Sequence, residues 1–334
     1  MGLGWASVRW AMLASALGFA FQAAPAKAEC KMVKVAEIAI KMSGRAPLMA
    51  VEINGKPTYL LADTGAESST MFGSALSGLG LTPTVLAGTK FYGVGGGVQA
   101  YVVGINSLKL GGMETRNRDF LVLGQASHGS GEVVGTLGED FFSLADVEFD
   151  LAHNAIRFFR PKDCKGDEVL YWGGAYSTLP MMAGNENQIS VEVMLNGHPQ
   201  HALMDTGASA SVVTTRAAYG VGVSVADDDP KHAFTGIGHS RVSYGVGTFK
   251  SFAFDQEAVK DVKISVADLF KYNKGARLGS RLAEDVMDNP DMLLGADFFL
   301  AHRVLVSHSQ RRVYVTYTGG PLFAVDTAAA EAAK

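Results

Sequence analysis

The chain writes Asp-Thr-Gly-Ala twice, at Asp63-Thr64-Gly65-Ala66 and at Asp205-Thr206-Gly207-Ala208. Each copy follows an apolar run, Tyr59-Leu60-Leu61-Ala62 in one case and Ala202-Leu203-Met204 in the other, and each precedes a Ser-rich stretch. A lone carboxylate at the end of a hydrophobic strand is costly to desolvate. Two in matching contexts point to a device that brings them together, so that each sets the other's ionisation. Like charges a few ångströms apart do not both ionise easily, and a pair holding one proton offers a base and an acid side by side. The chemistry such a pair supports is activation of water against a polarised carbonyl.

The elements around the aspartates repeat as well. The offset between them is 205 − 63 = 142 residues, and at that offset Val51, Asn54, Gly55, Pro57 and Leu61 fall on Val193, Asn196, Gly197, Pro199 and Leu203. Downstream, Ser69 falls on Ser211. An Asn-Gly pair between alternating apolar segments is a tight hairpin signal, because both residues accept positive φ at little cost. Each unit therefore reads as strand, Asn-Gly turn, strand, then Asp-Thr-Gly at the strand's end. Further along come Tyr92-Gly93-Val94-Gly95 and Thr235-Gly236-Ile237-Gly238, then Leu137-Gly138-Glu139-Asp140-Phe141-Phe142 and Leu294-Gly295-Ala296-Asp297-Phe298-Phe299. Strand-like runs, Ala155 to Phe159 and Arg312 to Tyr317, close the two units. Matched features in one order establish an internal duplication.

On these residues the chain resembles the aspartic proteases of the retropepsin–pepsin type, from about residue 45 to 318. The resemblance implies a mostly all-β fold: two similar barrel-like lobes with a cleft between them and few short helices. It implies that Asp63 and Asp205 are the catalytic dyad, that Thr64 and Thr206 cross-brace the loops, and that Gly65 and Gly207 let backbone donors approach the carboxylates. It gives the Gly-x-Gly segments the role of flaps over an extended peptide, with Tyr92, Gly93 and Gly95 in one and Thr235, Gly236 and Gly238 in the other. Both copies lie in one chain, so a monomer suffices. The implied reaction is hydrolysis of a peptide or unfolded protein by a water held between the aspartates, with no cofactor. The rival from another class is a peptide-binding protein that keeps the fold without turnover.

The rest of the sequence bounds these expectations. With 334 residues, 48% of them hydrophobic, and 39 glycines, the chain has room for two β-rich domains. A formal charge of −4 with no basic block gives no reason to expect nucleic acid. Arg9, the apolar run Trp10 to Phe21 and Ala26-Lys27-Ala28 read as an export signal cleaved after Ala28, with a retained anchor as the alternative. The domain reading is thus a signal peptide over 1–28, a first lobe over 29–160, a linker over 161–177, a second lobe over 178–320 and a flexible tail over 321–334. The expected compartment is periplasmic or secreted, with no membrane attachment after cleavage. Cys30 and Cys164 are the two cysteines, and in an oxidising space they are disulfide candidates.

Several motifs read as structural. Gly93 to Gly97 is no phosphate loop, since Val98 takes the sixth position of Gly-x-Gly-x-x-Gly and no Lys-Ser/Thr follows. Asp227-Asp228-Asp229-Pro230 lacks the alternating ligands of a calcium loop and reads as a solvated turn. The histidines lack metal-ligand spacing: His198 and His201 are expected at the surface and His239 beside the second flap. No metal site follows. Asp140 and Asp297 are assigned backbone or capping contacts rather than catalysis. The second unit carries extra length between Val259 and Asp291, where Val266 to Phe270 and Arg281 to Asp285 read as helical.

Overall fold

Both Asn-Gly pairs form the turns that their composition predicts. Asn54 and Gly55 have φ of 49° and 82°, and Asn196 and Gly197 have 52° and 80°, the positive values that a two-residue hairpin turn with both central residues left-handed requires. The turns join strand Ala46–Ile53 to Lys56–Ala62 in the first half and Ser190–Leu195 to His198–Met204 in the second. Each aspartate follows directly on the second strand of its hairpin.

The computed structural model describes residue 1 and residues 30–94, 96–123, 131–164, 166–183, 188–225, 233–234, 240–271 and 289–323. The expected signal segment Arg9 to Ala28, Gly95, Asp227 to Pro230, Thr235, Gly236, Gly238, His239, Arg281 to Asp285 and Ala328 to Lys334 lie outside the described residues. Two barrel-like lobes dominate a mostly all-β fold, with four short α-helices among the described residues. No helix among them is long and apolar enough to cross a membrane.

Inside each lobe the strand before the aspartate pairs in parallel with a wholly buried partner, Val133–Leu137 or Met292–Leu294. That partner continues into the repeated Gly-x-Asp-Phe-Phe segment. A Cβ on Gly138 would stand 2.6 Å from the Ala66 carbonyl oxygen, and one on Gly295 would stand 2.5 Å from the Ala210 carbonyl carbon. Only glycine lets this segment pass so close beneath the Asp-Thr-Gly loop.

The halves are joined by a shared antiparallel sheet. Its order is Ser177–Pro180, Arg312–Tyr317, His302–Ser307, Asp146–Asp150, Ala155–Lys162 and Lys31–Ser43. The seam falls between His302–Ser307 of the second half and Asp146–Asp150 of the first. Strand Lys31–Ser43 lies ahead of the stretch that the duplicated pattern covers, yet it carries the sheet onward into the first lobe through Ala46–Ile53. Cys30 and Cys164 are disulfide-bonded across the open end of this strand, 134 residues apart in sequence, next to the pairing of Lys31 with Lys162.

Aromatic packing crosses the seam. Phe142 of the first repeated motif meets Phe149 edge-on at 5.4 Å, and Phe149 meets Phe299 of the second motif at 5.7 Å. Beside them, the fully buried Glu148 takes hydrogen bonds from Arg157 (2.6 Å) and from Arg303 of the second half (2.7 Å). Tyr171 also donates to Glu148, and Arg303 stacks on Trp172 with its guanidinium 4.1 Å from the ring centre.

Two expectations about the second half need correction. Val266 and Ala267 are not helical: strand Glu257–Ala267 runs through them, with Ala267 opposite Tyr244, and a turn follows. A short apolar run fits either period, and pairing along the long hairpin decides for strand. His198 is exposed as expected, whereas both ring nitrogens of His201 are buried without a hydrogen-bond partner among the described residues. Asp291 folds over that position, donating its N–H to the His201 carbonyl and accepting the His201 N–H.

Candidate active site

The two Asp-Thr-Gly loops meet at the cleft in mirrored contacts. Thr64 and Thr206 are fully buried. The Thr64 hydroxyl donates to the Met204 carbonyl (2.8 Å) and accepts from the Thr206 N–H (3.0 Å). Reciprocally, the Thr206 hydroxyl donates to the Ala62 carbonyl (2.7 Å) and accepts from the Thr64 N–H (3.1 Å). Each threonine thus clamps the strand end that carries the opposite aspartate.

The carboxyls are held with equal symmetry. Asp63 Oδ1 accepts from the N–H groups of Gly65 and Ala66, both at 3.1 Å, and Asp205 Oδ1 from Gly207 (2.9 Å) and Ala208 (3.0 Å). A Cβ on Gly65 would fall 2.3 Å from Asp205 Cγ, and one on Gly207 would fall 2.4 Å from Asp63 Cγ. Each carboxyl therefore lies flat against the other loop's glycine, and no other residue fits there.

This packing explains the electrostatics. Each aspartate keeps some accessible surface, but protein atoms enclose the carboxyls densely. Burial pushes Asp63 well above the usual carboxylate range, the Asp205 charge adds to it, and a hydrogen bond to Asp205 raises it further. Burial also raises Asp205, but the N–H groups of Ala208 and Gly207 and the hydrogen bond from Asp63 pull it back. The pair titrates as one unit. Both carboxyls are thus held above the usual carboxylate range, and the pair retains a shared proton.

A second repeated bracket supports each loop. Asp140 Oδ1 accepts from the Ser69 N–H (2.8 Å) and hydroxyl (2.7 Å), and Ser69 Oγ accepts from the Gly138 N–H (3.0 Å). In the other copy Asp297 Oδ1 takes Ser211 N–H (2.9 Å) and hydroxyl (2.7 Å), and Ser211 Oγ takes the Gly295 N–H (2.9 Å). Asp140 and Asp297 thus make the backbone contacts expected of them. The matched Ser69 and Ser211 were the sequence signal for this bracket.

Tyr92 and Gly93 sit at the end of a hairpin formed by Thr84–Gly93 and Gly96–Leu110, with Tyr92 opposite Gly97 and Gly93 opposite Gly96. Val94 at its tip packs on an apolar cluster of the second lobe that includes Leu203, Val212, Tyr244 and Leu293, with Ala208 alongside. The hairpin thus reaches from the first lobe across to the second aspartate's loop. Facing positions differ between the lobes. Thr70 and Thr136 share a hydroxyl hydrogen bond of 2.8 Å where the second lobe pairs Val212 with Leu293. Ala233–Phe234 pairs with the strand Val242–Phe254, which leaves Thr235, Gly236 and Gly238 at a position comparable in sequence but outside the described residues.

Comparison with known proteins agrees with the duplication. A sequence model of the family described as aspartyl protease matches residues 49–141 and again 191–298, one stretch in each half. No curated protein matches the chain.

Proposed function

The chain belongs to the aspartyl protease family, and from that premise we propose that it is an exported endopeptidase whose catalytic dyad is Asp63 and Asp205. The single observation carrying this reading is the reciprocal fit of each carboxyl against the opposite glycine, braced by the crossed threonines. That fit is a costly arrangement for two acids unless their proximity is used.

In the proposed reaction a water lies between the carboxyls. The ionised member of the pair takes a proton from the water as it attacks the peptide carbonyl carbon. The protonated member gives its proton to the carbonyl oxygen, forming a neutral tetrahedral diol. Collapse of the diol returns one proton to the dyad and delivers one to the leaving amine. No bond to the enzyme forms. The hairpin carrying Tyr92 and Gly93 covers an extended peptide and meets its backbone as an added strand does. Gly95 and, in the second copy, Thr235, Gly236 and Gly238 complete the proposed flaps.

Export is the setting that the Cys30–Cys164 disulfide favours, since such bonds persist in oxidising compartments. The deciding experiment is cleavage of an unfolded protein by the mature chain, with a peptide inhibitor bearing a hydroxyl in place of the scissile carbonyl. Hydrolysis blocked by that inhibitor is expected. Tight inhibitor binding without hydrolysis would replace the peptidase with a peptide-binding protein.

A further inference from the structure

Glu139 opens the short helix Glu139–Phe142 directly beneath the first Asp-Thr-Gly loop, and it is 1% exposed. Its counterpart in the second copy is Ala296, so this carboxyl breaks the symmetry of the site. Neither carboxyl oxygen has a hydrogen-bond partner among the described residues. Opposite stands His308, whose Nε2 is also buried and unpartnered and lies 3.5 Å from Glu139 Oε2. His308 belongs to the turn between His302–Ser307 and Arg312–Tyr317, in the second half. That turn is fixed on Asp146 of the first half, which accepts from Ser307 Oγ (2.7 Å), Ser309 N (2.9 Å) and Ser309 Oγ (2.8 Å). On its other side, Glu139 N donates to the Ala66 carbonyl (2.9 Å), and Ala66 N donates to Asp63 Oδ1.

A buried acid and a buried imidazole left without partners are expensive, and a native structure carries few such groups. A neutral carboxyl can direct its proton at a neutral imidazole nitrogen, which gives Glu139 Oε2 and His308 Nε2 a partner in each other. We propose that Glu139 and His308 form a proton-sharing latch between the halves, positioning the Asp63 loop against the second half on the acidic side of neutrality and releasing it as the pH rises.

The surrounding charges favour this window. Burial, with the charges of Asp140 and Asp63, pushes Glu139 up to about 8. Burial pushes His308 down to about 4, opposed by Asp146 and assisted by Arg311. Arg118 donates to the Asp140 carbonyl. The folded chain therefore holds the Glu139 proton longer than the unfolded chain, and this group's contribution to stability falls as pH rises from 4.5 to about 8. His308 acts in reverse, with stability falling as pH drops from 6.5 to about 4. Between 4.5 and 6.5 the two slopes oppose each other, and the pair's contribution is level.

The latch itself needs no peptidase activity, while its effect on turnover rests on the reading above. The test is denaturant unfolding of the mature chain from pH 4 to 9. Relative to Glu139→Gln, the wild-type unfolding constant is expected to grow by up to about tenfold per pH unit between pH 5 and 8. A double-mutant cycle with Glu139→Leu and His308→Leu at pH 5.5 is expected to give a coupling of about fivefold or more. A ratio that is flat in pH, or additive single variants, overturns the latch. If the variants fail to fold, the His308 ring resonance of the wild type decides. An inflection near pH 8, following Glu139, supports the latch, and a single inflection near 6.5 overturns it. In peptide hydrolysis, Glu139→Gln should move the alkaline limb of kcat upward, and an unmoved limb overturns the positioning role. Coupling in a chain without hydrolysis leaves the latch standing and removes the peptidase.

Discussion

The two carboxyls share matching backbone frames and are proposed to act as one acid–base pair. Asp63→Asn and Asp205→Asn each leave the pair unable to hold one proton and one charge across two carboxyls, and each is expected to lower kcat by about 10²–10⁴-fold with little change in peptide KM. Turnover needs one proton on the pair. Because the Asp63 carboxyl is raised, that proton survives above the usual carboxylate range and is lost as the pH climbs through the raised value. A kcat/KM profile should accordingly fall on its alkaline side, and the stability of the folded chain should fall over the same rise. The threonines answer a different measurement. Thr64→Val deprives the Met204 carbonyl of its donor and the Thr206 N–H of its acceptor, which should cost about 1–3 kcal/mol per group in urea unfolding. The meeting of the two loops and the crossed threonines were legible in the sequence because the tetrapeptide occurs twice in register. The Glu139–His308 contact was not legible: its partners are far apart in the chain, and only one copy of the repeat carries the acid.

Among the elements, the turns were the most legible. Asn54-Gly55 and Asn196-Gly197 set hairpin register by local chemistry alone, so the strands leading to both aspartates follow from sequence. Strand Lys31–Ser43 shows what local reading passes over. Its buried Ala36, Ile38 and Ile40 alternate with exposed neighbours, a period-two signal ahead of the matched stretches, and its counterpart in the second half, Ser177–Pro180 against Arg312–Tyr317, is too short to show the same pattern. The Val266 to Phe270 segment failed for another reason, since its strand depends on pairing with a distant partner. The hairpin ending in Tyr92-Gly93 yields a prediction of its own. Val94 anchors the tip on the second lobe, so Val94→Ser should weaken closure by about 1 kcal/mol, or roughly fivefold in peptide KM. Steady-state kinetics on one extended peptide checks this, with unfolding to show that overall stability is kept.

For the molecule as a whole, the seam between the halves is built like a core rather than a docking surface. Phe149 is flanked by one phenylalanine from each repeated motif, so Phe149→Ala should cost about 3–5 kcal/mol. If the seam is one cooperative unit, calorimetry of that variant should show both lobes melting together at a lower temperature. Separation into two transitions would show the lobes to be independent. Glu148, shared by Arg157 and Arg303, ties the same seam electrostatically. None of this was readable from the repeat, because the motif reveals what the halves have in common and the seam is where they differ.

The placement of strand Asp146–Asp150 has a consequence for the order in which the molecule comes into being. Its neighbour on one side, Ala155–Lys162, is made within a few residues, but its neighbour on the other, His302–Ser307, is made only after the whole second Asp-Thr-Gly segment. Until that late strand arrives, a growing chain presents an unpaired sheet edge, and the second Asp-Thr-Gly loop lacks the seam that aligns it with the first. A chain halted before His302 contains both aspartates and Glu139 but lacks His308, the latch's partner in the second half. The seam that holds the two Asp-Thr-Gly loops in register is therefore made last among the contacts of this sheet, so a chain truncated before His302 is expected to lack peptide hydrolysis that the longer chain shows.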